Sequence, residues 1–290
     1  IFMKGCPLKC RWCSNPESQR AAIEPGVYSS KCISEDKCGL CITACRQQAL
    51  LFAGGNIAGI DRSRCIGCMK CAAVCPAEAV RAWGEKMSLD EVMAVIEKDR
   101  AFYEKSGGGV TVSGGEPLVQ KDFTRSILKA CCETGIHTCL ESTFCTDWET
   151  VEAAAEYADL LISDIKHMDS DVHKKYTGAD NEKILANLKR LAACGHDMIL
   201  RIPVIPGIND DMENIIKTAD YIEDNIGDRL RVLQLLSFMR MGEEKCLSLG
   251  RTYEMDSLEF DREEFQQRVE DIAAYFNSRG IHCTVGTAQS

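Results

Sequence analysis

Apolar and polar positions alternate regularly over most of the chain after residue 87. Ser88 and Glu91 form a capping box, and the apolar residues that follow recur at the three- and four-residue spacing of an amphipathic helix. Short apolar runs predict strands at residues 110–113, 137–140, 160–165, 198–204, 230–236 and 281–285. Amphipathic stretches predict helices between them at residues 122–134, 147–157, 181–194, 211–225 and 262–278. This alternation of strands and helices indicates parallel βαβ units.

The predicted fold is therefore of the α/β class. The strands are too few for a complete eight-stranded barrel, so a partial barrel or an open parallel sheet fits better. Residues 1–5 are predicted to end a strand and to run into a loop that carries three cysteines. Ligands of such folds bind near the carboxyl ends of the strands. We expect the three-cysteine loop and the loop after Ser113 to lie at that end.

A segment near the start of the chain has a different composition. Residues 17–82 hold eight cysteines, few periodic stretches and several short turns. This change predicts an inserted domain at residues 17–83, with residues 1–16 and 84–290 forming the partial barrel. The 290 residues, 45% of them apolar, are enough for one large domain with an insertion.

Charge and cysteine content narrow the class of protein. The net charge of −10 argues against broad nucleic-acid binding, and no apolar run approaches the length of a membrane span. We therefore expect no nucleic-acid or membrane partner. In a small secreted protein the 18 cysteines would suggest a disulfide framework, but this chain is too long for that class. Eleven of them fall into three compact groups, which favours a reduced, cytoplasmic, anaerobic metalloprotein.

The first group is Cys6, Cys10 and Cys13, at the spacing C-x3-C-x2-C. Thiolates are soft ligands suited to iron–sulfur clusters, and this spacing fits no common zinc pattern. A [4Fe-4S] cluster has four irons, so three protein ligands leave one iron open. A metal centre that binds a substrate directly needs such an open position.

Eight further cysteines follow the ligand run of bacterial two-cluster ferredoxins, in which the fourth cysteine ligates the other cluster. The predicted ligands of one cluster are Cys32, Cys38, Cys41 and Cys75. Those of the other cluster are Cys45, Cys65, Cys68 and Cys71. Four ligands close each cluster, so these two can only pass electrons or stabilise the fold. Zinc is the alternative for both groups.

The other cysteines and the histidines show no ligand spacing. The scattered cysteines are Cys131, Cys132, Cys139, Cys145, Cys194, Cys246 and Cys283. We interpret most of them as small buried apolar residues. His167 and His173 could reach a substrate groove, but solvated loop positions are the simpler interpretation.

These parts together resemble a known family. The three-cysteine loop and the two-cluster insert are followed by Val112-Ser113-Gly114-Gly115-Glu116-Pro117 directly after a strand. The chain resembles the radical S-adenosylmethionine enzymes and, more narrowly, the glycyl radical enzyme activating enzymes that carry a ferredoxin-like insert. Supporting stretches are residues 135–142, 163–168, 174–178 and 201–207. The resemblance covers nearly the whole length.

The resemblance implies a partial (β/α)6 barrel and an oxidoreductase with three [4Fe-4S] clusters and S-adenosylmethionine as cofactors. The open iron would bind the amino and carboxylate groups of the cofactor's methionine. Reductive cleavage would give a 5′-deoxyadenosyl radical, which would take a hydrogen atom from a glycine Cα of a partner glycyl radical enzyme. The resemblance also implies a monomer that receives electrons from a flavodoxin or a ferredoxin.

Roles for individual residues follow from the same resemblance. Gly114, Gly115 and Glu116 would hold the methionine ammonium. Asp164 and Lys166 would contact the ribose hydroxyls, with a surface ion pair as the alternative. Arg201 would bind the methionine carboxylate, and its alternative role is a salt bridge at a strand end. Trp12 would contact the adenine, and its alternative role is to shield the cluster.

A possible monovalent cation site and two departures complete the comparison with the family. Glu141, Ser142 and Asp164 match positions that bind such a cation in a related activating enzyme. Met239 stands where some relatives have a histidine on the adenine side. The family's Asp-Gly-Pro-Gly-x-Arg stretch does not occur in these residues, and we expect the sequence to begin after it.

Two other functions remain open at this point. A radical S-adenosylmethionine maturase of peptides or proteins would also carry auxiliary clusters, but its extra cysteines usually follow the barrel. A polyferredoxin-type electron carrier would leave residues 114–116 and the three-ligand cluster unexplained. The position of the insert, directly after the first cysteine loop, favours the activating enzyme.

Overall fold

The computed structural model describes residues 1–286, which divide into two units. The sheet unit comprises residues 1–10, residues 87–239 and the described residues from Ser257 onward. The cysteine unit comprises residues 11–86 and 240–256. Each unit is described below by itself.

The regular elements are numbered along the whole chain. The strands are β1 (Phe2–Met3), β2 (Glu24–Val27), β3 (Leu50–Ala53), β4 (Asn56–Ile60), β5 (Val80–Trp83), β6 (Gly109–Gly114), β7 (His137–Glu141), β8 (Leu160–Asp164), β9 (Met198–Val204), β10 (Leu230–Ser237) and β11 (Cys283–Val285). The α-helices are α1 (Leu40–Ala44), α2 (Lys70–Ala73), α3 (Leu89–Ile96), α4 (Arg100–Ser106), α5 (Lys121–Glu133), α6 (Trp148–Ala155), α7 (Ser170–Thr177), α8 (Glu182–Ala193), α9 (Met212–Asn225), α10 (Glu243–Ser248) and α11 (Arg262–Ser278). Short 3-10 helices span Pro16–Ser18, Ser29–Lys31, Glu97–Asp99, Pro117–Gln120 and Gly227–Arg229.

The sheet unit contains one parallel sheet of seven strands in the order β1-β6-β7-β8-β9-β10-β11. The strands follow chain order across the sheet, although β2 to β5 of the cysteine unit come between β1 and β6 in the chain. Most of the connections from β6 onward are helical. The predicted α/β class and the parallel sheet are confirmed. Within residues 1–286, β1 and β11 form the two edges of the sheet.

Helix caps and strand periodicity explain why these segments form these elements. The Ser88 hydroxyl accepts from the Glu91 N–H while the Glu91 carboxylate accepts from the Ser88 N–H, the capping box that the sequence predicts. The Asp147 carboxylate caps α6 by accepting from the Thr150 N–H, and the Asp211 carboxylate caps α9 by accepting from the Asn214 N–H. Leu140, Leu161, Leu200 and Leu233 are almost completely buried on the central strands. Because strand side chains alternate, their neighbours point to the opposite face of the sheet.

Five α-helices were not predicted from the sequence: α1, α2, α4, α7 and α10. Helix α7 is short and mostly polar, so its apolar spacing is weak, yet Asp169 caps its start and Gly178 ends it in the left-handed conformation. His173 lies inside this helix and is buried. The expectation that His173 occupies a solvated loop is therefore wrong.

The cysteine unit is built from two antiparallel strand pairs and short helices. Strand β2 pairs with β5, and β3 pairs with β4 across the turn at Gly54 and Gly55. Val27, Ile57 and Val80 form the centre of its apolar core.

A later segment of the chain belongs to the same unit. Residues 240–256 carry α10, whose Lys245 ammonium donates to the Ser14 and Asn15 oxygens and to the Glu17 carboxylate. The Arg251 guanidinium lies 2.6 Å from the Glu24 carboxylate. The sequence did not predict that this segment would accompany the insert. In residues 1–286, no helix has the length and apolar character needed to cross a membrane.

Gly114 at the end of β6 offers a direct test of this packing. Its φ is +126°, and a Cβ there would lie 2.2 Å from the Met3 backbone N and O atoms. We expect Gly114→Ala to lower the midpoint of anaerobic thermal unfolding more than Gly135→Ala, because Gly135 also has a positive φ but faces open space. We expect the free energy of unfolding to fall by about 2 kcal/mol more in Gly114→Ala than in Gly135→Ala. Equal shifts in the two variants would contradict this account of β1.

Candidate active site and cluster pockets

A layer of polar side chains lies on one face of the sheet, two residues further along each strand than a layer of apolar side chains. Cys139, Ile162 and Ile199 pack together with Val232 on neighbouring strands. Two residues further along the same four strands stand Glu141, Asp164, Arg201 and Gln234. Because strand side chains repeat with a period of two, each polar residue shares the face of its apolar neighbour. The layer lies toward the carboxyl ends of the strands.

Arg201 joins three strands within this layer. Its guanidinium lies 3.0 Å from the Glu141 carboxylate and donates through Nε to the Gln234 side-chain oxygen at 3.1 Å. Burial raises the pKa of the Glu141 carboxyl, although the Arg201 charge opposes the shift. Arg201 thus forms an ion pair, which was the alternative to a contact with the methionine carboxylate, and it lies in the middle of β9 rather than at a strand end. Gln234 was not found from the sequence, because its neighbours on β10 read only as an apolar run.

Asp164 and Lys166 contact each other, as their spacing predicts. The Lys166 ammonium lies 2.8 Å from the Asp164 carboxylate, and Lys166 is only 7% exposed. Burial alone would lower the pKa of this ammonium, but the Asp164 carboxylate and the thiols of Cys10 and Cys6 outweigh it and raise the pKa. The two residues thus form an ion pair in which the lysine is buried and the carboxylate is 32% exposed. Lys166 lies in the field of two cysteines of the first loop.

Backbone bonds attach the first cysteine loop to the loop after β6. The Gly115 N–H donates to the Met3 carbonyl at 2.9 Å, and the Glu116 N–H donates to the Gly5 carbonyl at 2.7 Å. Gly114 permits this approach because a side chain would collide with Met3. The two loops that the sequence placed at one end of the sheet are thus in direct contact, within residues 1–10 and 109–116.

The Glu116 carboxylate is buried and receives four hydrogen bonds. It is 1% exposed, and its oxygens accept from the Leu118 N–H, the Ser142 hydroxyl and both the N–H and the hydroxyl of Thr143. These bonds connect the Gly-Gly-Glu loop to the loop after β7. They also engage Ser142, one of the three predicted cation ligands, while Glu141 is engaged by Arg201.

Buried asparagines fix the other loops at this end of the sheet. The Asn209 amide donates to the carbonyls of Lys166 and Pro203, which follow or end adjacent strands. Asn187 on α8 similarly donates to the carbonyls of Phe144 and Thr146. The sequence analysis missed both residues. For Asn187 the available signal was a polar amide inside the apolar stripe of a predicted helix, which calls for a buried partner. Asn209 lies in a turn and gave no such signal.

Eight cysteines of the cysteine unit line two pockets. The first pocket is lined by Cys32, Cys38, Cys41 and Cys75. The second is lined by Cys45, Cys65, Cys68 and Cys71. The crossed arrangement predicted from the ferredoxin spacing therefore brings the expected four thiols together in each case.

The chemistry of both pockets fits a [4Fe-4S] cluster. Each presents four thiols and otherwise mainly apolar side chains. Backbone groups also point at sulfur: the Ile57 N–H lies 3.5 Å from the Cys32 sulfur and the Ala49 N–H lies 3.4 Å from the Cys45 sulfur. Such bonds stabilise the negative charge of a thiolate-bound cluster.

The three cysteines of the first loop fall on both sides of the division between units. Cys6 and Cys10 belong to the sheet unit, whereas Trp12 and Cys13 belong to the cysteine unit. Within the cysteine unit, a Cβ at Gly242 would lie 2.0 Å from the Cys13 carbonyl oxygen, so glycine is required there. Trp12 is buried, and Met239 is exposed at the end of its segment of the sheet unit.

Comparisons with known proteins agree with this geometry. Residues 62–219 match the family model of the radical SAM superfamily, and residues 31–85 match the model of a 4Fe-4S dicluster domain. Iron–sulfur clusters and S-adenosylmethionine thus follow from the two families themselves.

Individual relatives and solved structures are similar over most of the chain. The chain is 51% identical to the (2S)-3-sulfopropanediol dehydratase activating enzyme of Klebsiella oxytoca over 100% of this chain and 92% of that protein. It is 37% identical to the 4-hydroxyphenylacetate decarboxylase activating enzyme of Clostridioides difficile strain CD196, over 99% and 90%.

The structural comparison adds a further relative. A domain of the pyruvate-formate lyase-activating enzyme from Bacteroides vulgatus has a TM-score of 0.50 and 32% identity, and the match covers 62% of this chain and 99% of that domain. Streptococcus suis SuiB has a TM-score of 0.57 at 14% identity over 99% of this chain and 47% of its own, which shows the fold alone. The chain therefore belongs to the glycyl radical enzyme activating enzymes of the radical SAM superfamily.

Proposed function

We propose that this chain installs a glycyl radical on an enzyme that acts on (2S)-3-sulfopropanediol. The choice of partner rests on the 51% identity to the activating enzyme of the Klebsiella oxytoca sulfopropanediol dehydratase, well above the 37% shared with the 4-hydroxyphenylacetate decarboxylase activator. The chemistry rests on the cysteine arrangement. Eight thiols form two closed sets of four, which leaves the three-cysteine loop as the set with an open position.

We propose three [4Fe-4S] clusters, held by the residue sets named above. Cys6, Cys10 and Cys13 hold the open cluster, which when reduced supplies the electron that cleaves S-adenosylmethionine. The chain's own residues bind and orient the cofactor. Arg201, already aimed by Glu141 and Gln234, pairs with the methionine carboxylate, and its planar guanidinium suits a bidentate contact.

The remaining contacts follow from the same layer of the sheet. Asp164 accepts from the ribose hydroxyls while Lys166 holds the carboxylate in place. The backbone of Gly114 and Gly115 lies near enough to the first cysteine loop to receive the methionine ammonium. The four hydrogen bonds to the Glu116 carboxylate hold the Gly-Gly-Glu loop in place. Trp12 contacts the adenine. Glu141, Ser142 and Asp164 remain the proposed set for a monovalent cation.

Cellular context and organisation belong to the same proposal. We propose a cytoplasmic monomer that works under anaerobic conditions, because exposed reduced thiols and clusters would not survive oxidation. A flavodoxin or a ferredoxin supplies the electrons. Residues 17–83 form the ferredoxin-like domain, and residues 1–16 and 84–290 form the radical SAM domain.

Iron content tests the assignment of the clusters. Anaerobically reconstituted protein should bind about twelve irons, as expected for three cubanes. Replacing Cys6, Cys10 and Cys13 together by Ala should leave about eight irons and abolish the release of 5′-deoxyadenosine with dithionite. Replacing Cys65, Cys68 and Cys71 by Ala should lower the iron content but leave that cleavage intact. Cleavage by the first variant would contradict the assignment.

Cofactor binding tests the role of Arg201. We predict that Arg201→Lys weakens S-adenosylmethionine binding to the oxidised, cluster-loaded protein by about tenfold or more, because the bidentate contact is lost. Isothermal titration calorimetry under nitrogen measures this without turnover. Arg231→Lys is the matched control, since Arg231 is exposed and pairs with Asp197. Unchanged affinity in Arg201→Lys would refute the contact.

Radical transfer tests the proposed partner. The reconstituted protein, dithionite and S-adenosylmethionine are incubated with a glycyl radical enzyme that acts on (2S)-3-sulfopropanediol, and the control partner is one that decarboxylates 4-hydroxyphenylacetate. Electron paramagnetic resonance should show a glycyl radical doublet on the first partner at a yield about tenfold higher. Equal yields would contradict the choice of partner. Cofactor cleavage with no glycyl radical on either partner would favour the peptide or protein maturase instead.

A further inference from the structure

The two four-cysteine pockets differ in the charge that surrounds them. Within four residues of a cysteine of the second pocket the chain carries four basic residues and one acidic residue, namely Arg46, Arg62, Arg64, Lys70 and Asp61. The same count for the first pocket gives two basic and three acidic residues, namely Lys31, Lys37, Glu35, Asp36 and Glu78. The sequence around the cysteines of the second pocket is therefore more basic than that around the first, in a chain whose net charge is −10.

The basic residues of the second pocket occupy distinct positions. Arg46, Arg64 and Lys70 are exposed and stand next to a cysteine of the set or two residues from one. Arg62 is half-buried and donates to the carbonyls of Pro25 and Leu249, so it supports the unit. Asp61 is engaged by the Ser63 N–H and hydroxyl. Arg46, Arg64 and Lys70 therefore remain as exposed cations near the second pocket. We call the surroundings of this pocket the cation-rich pole and those of the first pocket the other pole.

Apolar exposure does not distinguish the poles, but cysteine exposure does. Ile66 follows Cys65 of the second pocket and is 68% exposed, and Ile33 follows Cys32 of the first pocket and is 49% exposed. Among the eight cysteines of the two pockets, only Cys68 is exposed, and it belongs to the second pocket. The cation-rich pole is thus also the one whose ligand set comes nearest to solvent.

We propose that the face formed by Arg46, Arg64, Ile66 and Lys70 is the docking site of an acidic one-electron carrier protein. The inference rests on the proposed function, which requires an external electron source. Complementary charge steers an acidic partner to this face and raises its association rate. One electron passes from the reduced carrier to the oxidised cluster, so the carrier is oxidised by one electron, the cluster is reduced by one, and no covalent bond changes.

The test compares charge reversal at the two poles of the cluster-loaded protein. Arg64→Glu with Lys70→Glu alters the proposed face, and Lys31→Glu with Lys37→Glu is the matched control. Oxidised flavodoxin, an acidic carrier, is titrated into each protein by calorimetry, and its hydroquinone is then mixed with each protein in a stopped-flow spectrometer. The first variant should bind about tenfold more weakly and be reduced about tenfold more slowly at low salt, with a flatter salt dependence. The control should stay within about twofold.

Three further measurements keep the outcomes separable: the iron content, the cleavage of the cofactor with a chemical reductant, and the reduction potential of the clusters. Both variants must hold about twelve irons, and Arg46→Glu with Lys70→Glu replaces the first variant if it does not. Cofactor cleavage driven by titanium(III) citrate should be unchanged in both variants. If the unaltered protein does not cleave the cofactor with this reductant, the proposed function is refuted rather than the docking face. The inference is overturned if both poles respond equally, if neither responds, or if a shifted cluster potential accounts for the slower reduction.

Discussion

The parallel register of the central strands is the constraint on which the candidate site depends. Because side chains on neighbouring parallel strands repeat with the same period of two, one apolar layer is followed by one polar layer. Glu141, Asp164, Arg201 and Gln234 are brought together in this way from four separate strands. A one-residue slip of any strand would turn its polar residue to the other face and break the set. The close approach of Met3 to Gly114 then holds the first cysteine loop beside this layer.

The cysteine unit uses a second constraint, which is the number of ligands that a cubane accepts. With the proposed ligand assignment, crossed pairing of the two cysteine runs would close two sets of four, so neither cluster would bind a substrate. The sets nevertheless stand in different surroundings, one nearly balanced in charge and one rich in exposed cations. A negatively charged electron donor would therefore be drawn to the second set rather than to the first.

Much of this structure could be predicted from the sequence, and the failures have physical causes. The strands of the sheet and six helices fall within a few residues of their predicted positions, since long periodic stretches carry a strong signal. Helix α7 was missed because its stability comes from a cap and from burying His173 rather than from an apolar stripe. Gln234 and Asn209 were missed because a single polar residue shows its partner only in three dimensions. The four bonds to Glu116, which make it a buried brace, were likewise invisible.

The central claim is that the three-cysteine cluster binds S-adenosylmethionine through its open iron. Electron–nuclear double resonance of the reduced protein, with cofactor labelled with 15N at the methionine amino group, tests it most directly. The account predicts a 15N coupling to the cluster that persists when Cys65, Cys68 and Cys71 are replaced and disappears when Cys6, Cys10 and Cys13 are replaced. A protein that holds about twelve irons but shows no such coupling would contradict it.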